Sequence, residues 1–152
     1  MFRGRHSHVL DEKGRTSLPK DFRQTLESIS SEAPWITLFP ESLVIFPDPL
    51  FKQLEQGLAE LGPISREAKG ARRLILGSAE SCPIDKQGRI MIPPLLREWP
   101  RAGLKRDLVF CGVGSYIELW DRDLHSASLL EACEDYPNWA GVVDQQLRQT
   151  QS

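Results

Sequence analysis

Residues able to grip a phosphate or a base edge recur in one fixed arrangement. Asp11-Glu12-Lys13-Gly14-Arg15 sets a carboxylate, a glycine and a guanidinium close together, and 74 positions later Asp85-Lys86-Gln87-Gly88-Arg89 does so again. Asp at the first position and Gly at the fourth are what a type I turn followed by a left-handed residue requires, which makes Asp11, Gly14, Asp85 and Gly88 the turn-forming set. The arginine after each turn starts a strand near an exposed tip, where five fixed donors suit a phosphate or the O6/N7 edge of guanine. Arg15 and Arg89 are therefore the first candidates for contacting DNA, and Lys13 and Lys86 for contacting phosphate. Asp11 and Asp85 could cap the turn through their backbone neighbours or hold the arginine in one orientation. A lone Asp–Arg pair would do no more than stabilise a hairpin. Two copies at a constant offset, each in a net-basic stretch, point to a ligand.

The offset extends past the turns. Leu43-Val44-Ile45-Phe46 falls on Ile117-Glu118-Leu119-Trp120 without a gap, so a whole folding unit is duplicated. Each repeat spans about 45 residues, too few to bury a core alone, and the two are expected to share one. The chain of 152 residues carries 19 basic and 21 acidic side chains, a formal net charge of −2. That balance argues against indiscriminate coating of nucleic acid, but the charges are segregated. Residues 1–23 hold six Lys/Arg against three Asp/Glu and residues 65–106 hold ten against four, whereas 24–64 and 107–152 are acidic. Positive charge follows the two motifs.

Around the turns the pattern predicts a β-rich chain. Val9-Leu10 leads into the first turn and Arg15 to Leu18 leaves it as a short strand. Pro19 fits the first position of a short helix carrying Phe22 and Leu26 at helical spacing. Trp35 to Phe39 and Leu43 to Phe46 read as a hairpin. The second copy repeats this order, with a Pro93 helix and strands over Leu108 to Val113 and Tyr116 to Trp120. Between the copies, one helix opens at Asp48-Pro49 with Phe51, Leu54, Leu58 and Leu61 on one face, and a second runs from Ser65 to Ala79. After Trp120 an acidic helix is expected through Glu134, broken by Pro137, with Gln145 to Ser152 frayed.

Other chemistries find little support. Cys82, Cys111 and Cys133 are odd in number and lack C-x-x-C spacing, which fits a reducing cytoplasmic setting and suggests neither a disulfide framework nor a zinc site. His6 and His8 could share a strand face, but no Cys or carboxylate pairing completes a metal site, so they read as structural or surface residues. Gly112-Val113-Gly114 begins like a dinucleotide fingerprint, yet position 117 is Ile and no strand-loop-helix unit surrounds it; a tight hairpin turn is expected. No nucleophile elbow, phosphate loop or H-E-x-x-H occurs, so no catalytic residue, cofactor or small-molecule substrate is expected. No apolar run approaches membrane-spanning length, and a soluble, unexported protein is expected.

The pattern Asp-x-x-Gly-Arg-x-x-[Leu/Ile]-Pro-x-x-[Phe/Leu]-Arg, at 11–23 and 85–97, resembles the AbrB-type swapped-hairpin DNA-binding motif. Two such copies, the opening Met1-Phe2-Arg3-Gly4 and the run Leu119-Trp120-Asp121 resemble the MraZ family of bacterial regulators encoded at the head of the division and cell-wall gene cluster. The resemblance covers roughly residues 1–125. It departs where the position of Lys13 is occupied by Gln87 in the second copy, and the acidic tail after Cys133 lies outside it. It implies an α+β, β-rich fold in which two AbrB-like repeats, 7–53 and 81–124, interlock into one pseudo-two-fold domain with a helical connection at 54–80 and a helical acidic tail at 125–152. It further implies a ring-shaped homo-oligomer that binds double-stranded DNA at promoter repeats and represses its own operon, in the cytoplasm on the nucleoid. Arg3 and Arg5 would then form a basic N-terminal arm. The alternative is a ring-forming interaction scaffold whose main partner is a protein, docked on the acidic tail.

Overall fold

The computed structural model describes residues 1–151. Its strands are β1 (Phe2–Val9), β2 (Arg15–Ser17), β3 (Trp35–Leu38), β4 (Leu43–Phe46), β5 (Glu80–Ser81), β6 (Arg89–Met91), β7 (Asp107–Gly114) and β8 (Ile117–Asp121). The helices are α1 (Lys20–Ile29), α2 (Asp48–Glu60), α3 (Arg66–Ala71) continued by a π-helical turn (Arg72–Leu76), α4 (Pro94–Arg97), α5 (Arg122–Glu134) and α6 (Tyr136–Gln151). Six strands form one antiparallel sheet in the order β1-β7-β8-β4-β3-β5, and β2 and β6 form a separate two-stranded ribbon.

The register exposes how the duplication folds. In β1 on β7, His6 faces Phe110 and Ser7 faces Val109; in β5 on β3, Glu80 faces Ile36 and Ser81 faces Trp35. These are the same pairings 74 residues apart, so each copy lends its first strand to the hairpin of the other. Two strand pairs cross the pseudo-two-fold axis itself. In the ribbon Thr16 lies opposite Ile90, its own equivalent, and in the sheet Val44 lies opposite Glu118, again its equivalent. The order of the large sheet is accordingly a palindrome of the two copies.

One core follows from this exchange. Ile36, Leu38, Leu43 and Ile45 of the first copy and Leu108, Phe110, Ile117 and Leu119 of the second are packed with Leu18, Ile90 and Ile92 around the ribbon and with Phe22, Leu26 and Leu96 of α1 and α4. On the outer face a smaller cluster joins Val44, Phe46 and Phe51 to Trp35, Phe39, Leu54 and Tyr116, with Trp35 stacked on Phe51 at 4.8 Å between centroids. Burying apolar side chains from both copies in one body removes far more surface from water than either repeat could alone.

Several local expectations need correction. Pro19 and Pro93 do not open their helices but stand one residue ahead, in an extended conformation at the N-cap. The first helix runs to Ile29, while its counterpart stops at Arg97 because Trp99-Pro100 cannot continue it. Leu61 is exposed beyond the end of α2 and contributes nothing to its buried face. The helix from Ser65 changes to π geometry at Arg72. The acidic helix does end at Glu134, and what was not expected is a second helix, α6, that starts at once with Pro137 in its first turn, where its missing N–H costs nothing. That helix carries Gln145 to Gln151, expected to fray, in regular geometry; Ser152 lies outside the described residues.

A fragment ending at Leu61 would lose β7 and β5 from the edges of β1 and β3, β6 from β2 and β8 from β4. It is expected to be unfolded or to self-associate, read by size-exclusion chromatography with circular dichroism. A monomeric fragment with a sharp thermal transition would contradict the shared core.

Candidate nucleic-acid interface

Each Asp-x-x-Gly-Arg segment is a turn closed on itself. The amides of Gly14 and Gly88 donate to the carbonyls of Asp11 and Asp85 at 3.0 Å, and those of Asp11 and Asp85 donate to Arg15 and Arg89 at 2.9 Å. Gly14 and Gly88 sit at φ of +81° and +79°, the left-handed region that glycine enters without a Cβ penalty. The aspartates perform both roles open to them. Asp11 Oδ1 accepts from the amides of Lys13 and Arg15 at 2.9 and 2.8 Å, while Oδ2 accepts from Arg15 Nε at 2.9 Å. Asp85 does the same for Gln87 and Arg89, with its Oδ2 accepting from Arg89 Nε at 3.0 Å. One carboxylate therefore caps the turn and aims the guanidinium.

The ion pair is made through Nε, and among the described residues no acceptor takes the Nη groups of Arg15 or Arg89. Exposed pairs of this kind add little to stability because water screens them. Their effect here is orientation: the fork is held by its inner nitrogen and its outer donors remain available.

The ribbon sets the spacing. Arg15 pairs with Met91 and Ser17 with Arg89, while Thr16 and Ile90 are buried beneath. Alternation along both strands puts Arg15, Ser17, Arg89 and Met91 on the outward face. The two arginines are thus offset by two residues, roughly 7 Å along the strands and 5 Å across them. Lys13 and Lys86 are exposed in the turns at opposite ends of this face.

Arg3 and Arg5 are not brought to it. They belong to β1, which is hydrogen-bonded to β7 along its length, with Arg3 opposite Val113 and Arg5 opposite Cys111. The expected basic N-terminal arm is a strand of the sheet, and Arg5 stands six residues, roughly 20 Å of extended chain, from the first turn. The reason is visible in its inward residues: Phe2 is buried, His6 meets Phe22 edge-on at 4.9 Å, and His8 meets Phe110 at 5.5 Å. Burial lowers the pKa of His8, with His6 a lesser cause. Among the described residues no group of three or more His, Cys, Asp or Glu could hold a metal ion. Burial pushes the Cys82 thiol up to about 12.

Two residues were passed over. Arg23 and Arg97, which close the repeated pattern, each cross to the other copy's turn. Arg97 lies against Gly14, where a Cβ would come 2.7 Å from its Nε, and Arg23 lies against Gly88, where a Cβ would come 2.8 Å from its Nη1. This is why the two glycines are buried in otherwise exposed turns. Their repetition in the motif was the available signal.

Fold and site together define an interlocked double-hairpin protein, in which a two-stranded ribbon shared by tandem repeats presents a pair of carboxylate-aimed arginines. The family described as "MraZ protein, putative antitoxin-like" matches residues 1–74 and again 75–135. The chain is 36% identical over 128 residues to the "Transcriptional regulator MraZ" of Syntrophobacter fumaroxidans, covering 84% of each chain. It is 35% identical over 145 residues to the protein of that name from Leuconostoc mesenteroides, covering 95% of this chain and 98% of the relative. A third, from Nitrosospira multiformis, is 37% identical over 124 residues, covering 81% and 83%. The chain belongs to the MraZ family.

Two outcomes are expected of the turns. The Asp11 and Asp85 carboxyls are held below the usual 3.8 chiefly by the amides of Arg15 and Arg89; desolvation, the next largest effect, works upward, and the arginine side chains and the amides of Lys13 and Gln87 add to the lowering. A depressed folded pKa means that the contribution is complete above 3.8 and is lost as pH falls through the lower folded value. Carboxyl NMR titration should give midpoints below 3.8 for both residues; midpoints at or above it would show the caps to be absent. Gly14→Ala, with its positive φ and a Cβ against Arg97, should destabilise the protein by about 1 kcal/mol or more in urea unfolding.

Proposed function

We propose that this chain is a sequence-specific DNA-binding transcriptional regulator, with the ribbon as its reading surface and Arg15 and Arg89 as base-contacting residues. The observation that carries the reading is that both arginines are fixed by Asp11 and Asp85 through Nε alone, on one outward face, with their outer donors uncommitted. A two-stranded ribbon fits the major groove of B-DNA, where an arginine fork matches O6 and N7 of guanine. Lys13 and Lys86 serve as phosphate contacts at either end. The names of its relatives support regulation of transcription. On this reading the protein acts without catalysis or cofactor, in the cytoplasm on the nucleoid. It represses its own division and cell-wall operon through upstream repeats, with several chains in a ring to engage successive repeats. Linking many modest tips gives avidity without new contacts. Arg3 and Arg5 are kept as weaker candidates for flanking phosphate. No helix among the described residues is long and apolar enough to cross a membrane.

The competing reading is a scaffold that docks a protein on its tail. It draws on α6, where Tyr136, Trp139, Val143 and Leu147 stay exposed.

Gel-shift on the DNA upstream of the chain's own coding sequence, with random duplex as competitor, separates the two. Arg15→Ala and Arg89→Ala should each weaken specific binding by about 1–3 kcal/mol. Circular dichroism should be unchanged, because neither side chain fills the core. Retention equal to wild type for both variants would overturn the assignment.

A further inference from the structure

The two tips share a backbone but not an electrostatic state, and the difference lies in the arginines that cross between copies. Arg23 Nε donates to Glu27 Oε1 at 3.0 Å, one helical turn further along α1, so an acid stands beside its charge where it reaches the second turn. Arg97 has no such partner. The position equivalent to Glu27 is Arg101, α4 ends at Arg97 itself, and Arg97 Nε is buried with no acceptor among the described residues. A guanidinium seated on a turn glycine with its charge unpaired is a site that lacks an anion, since desolvating a charged donor without an acceptor is costly.

Resting on the DNA-binding reading above, we propose that the first tip is a composite phosphate site. Lys13 comes from one copy and Arg97 from the other, beside the base-contacting Arg15, so the first repeat holds the nucleic-acid backbone with a residue of the second. The second tip has Lys86 and Gln87 where the first has Glu12 and Lys13, so each tip keeps one lysine, but with Arg23 tied to Glu27 the second lacks the crossing contact. The hydrogen bonds that seat the crossing segments are equivalent in both directions: Ile92 N to Gly14 O at 2.8 Å and Leu18 N to Gly88 O at 2.9 Å. The inequality therefore resides in side chains, not in a different fit of the backbone. Phosphate is the ligand of choice because a backbone contact needs charge and donors without base-edge geometry, and planar guanidinium supplies both.

The salt dependence of duplex binding reads this directly, because each neutralised phosphate contributes about 0.9 to the slope of log K against log salt. Using the full-length protein and the upstream duplex, Arg97→Gln should reduce the slope by about 0.9 and Arg97→Lys should restore most of it. Arg23→Gln should leave the slope as in wild type. Glu27→Gln, which frees Arg23, should steepen it by about the same amount. Equal loss from Arg97→Gln and Arg23→Gln would overturn the inequality of the tips, and an unchanged slope in Arg97→Gln would overturn the site. If circular dichroism shows Arg97→Gln to be unfolded, Glu27→Gln decides the matter alone, an unchanged slope counting against the proposal. Failure of the underlying reading looks different: wild type itself would then show no salt-dependent retention of the duplex.

Discussion

Backbone pairing across the pseudo-two-fold axis is the constraint from which the other features follow. Strands as short as β2, β5 and β6 have no independent stability, and a repeat of this size would leave the edges of β3 and β4 open. Exchange solves both problems in one step. Each copy's first strand covers an edge of the other's hairpin, β4 meets β8 at the axis, and the ribbon is made by one strand from each copy. Because Thr16 faces its own equivalent, the arginines before and after the axis must emerge on the same face at a fixed separation. The geometry of the candidate interface is thus a consequence of how the core is closed, and a site of two matched arginines needs no further element to align it.

The helices obey the symmetry less strictly. In the first copy the outer face of the hairpin is sealed: Phe51 is fully buried under Trp35, Ala68 is buried, and Thr37 gives its hydroxyl to the carbonyl of Ile75 in the π-helical turn. At equivalent positions the second copy has His125, Val142, Cys111 and Gln149. His125 is buried against Trp120, and α5 is capped by Asp121, whose carboxylate accepts from the amides of Asp123 and Leu124. Beyond that point α6 buries no residue, and Cys111 remains partly exposed. Duplication preserved what the exchange requires, the strands and the turns, and relaxed what merely covers them.

The turns were legible in the sequence because their chemistry is local. Asp at the first place, Gly at the fourth and a following Arg dictate a capped turn with φ positive at glycine, whatever surrounds it. The hairpins were legible from runs such as Leu43 to Phe46, and the helix after Pro19 from Phe22 and Leu26. The strand β1 was hidden, because its inward positions hold His6 and His8 where a reader looks for aliphatic residues. Edge-on aromatic contacts to Phe22 and Phe110 supply the missing apolar character. The roles of Arg23 and Arg97 were hidden for a different reason. Whether an arginine reaches its own turn or the other copy's depends on the exchange, which is a property of long-range pairing and leaves no local mark.

Fixing an arginine with an aspartate has a cost as well as a benefit for recognition. The carboxylate removes the entropy that a free side chain would lose on binding, so the fork meets its target already oriented. The same carboxylate cancels much of the arginine's attraction at a distance, and the chain as a whole is slightly acidic. On the DNA-binding reading proposed above, attraction at a distance rests on the cations outside these two pairs. Near the ribbon these are Lys13 and Lys86 in the turns and Arg97 against Gly14. On that reading the aspartate-held arginines are fixed for close contact and the remaining cations supply attraction.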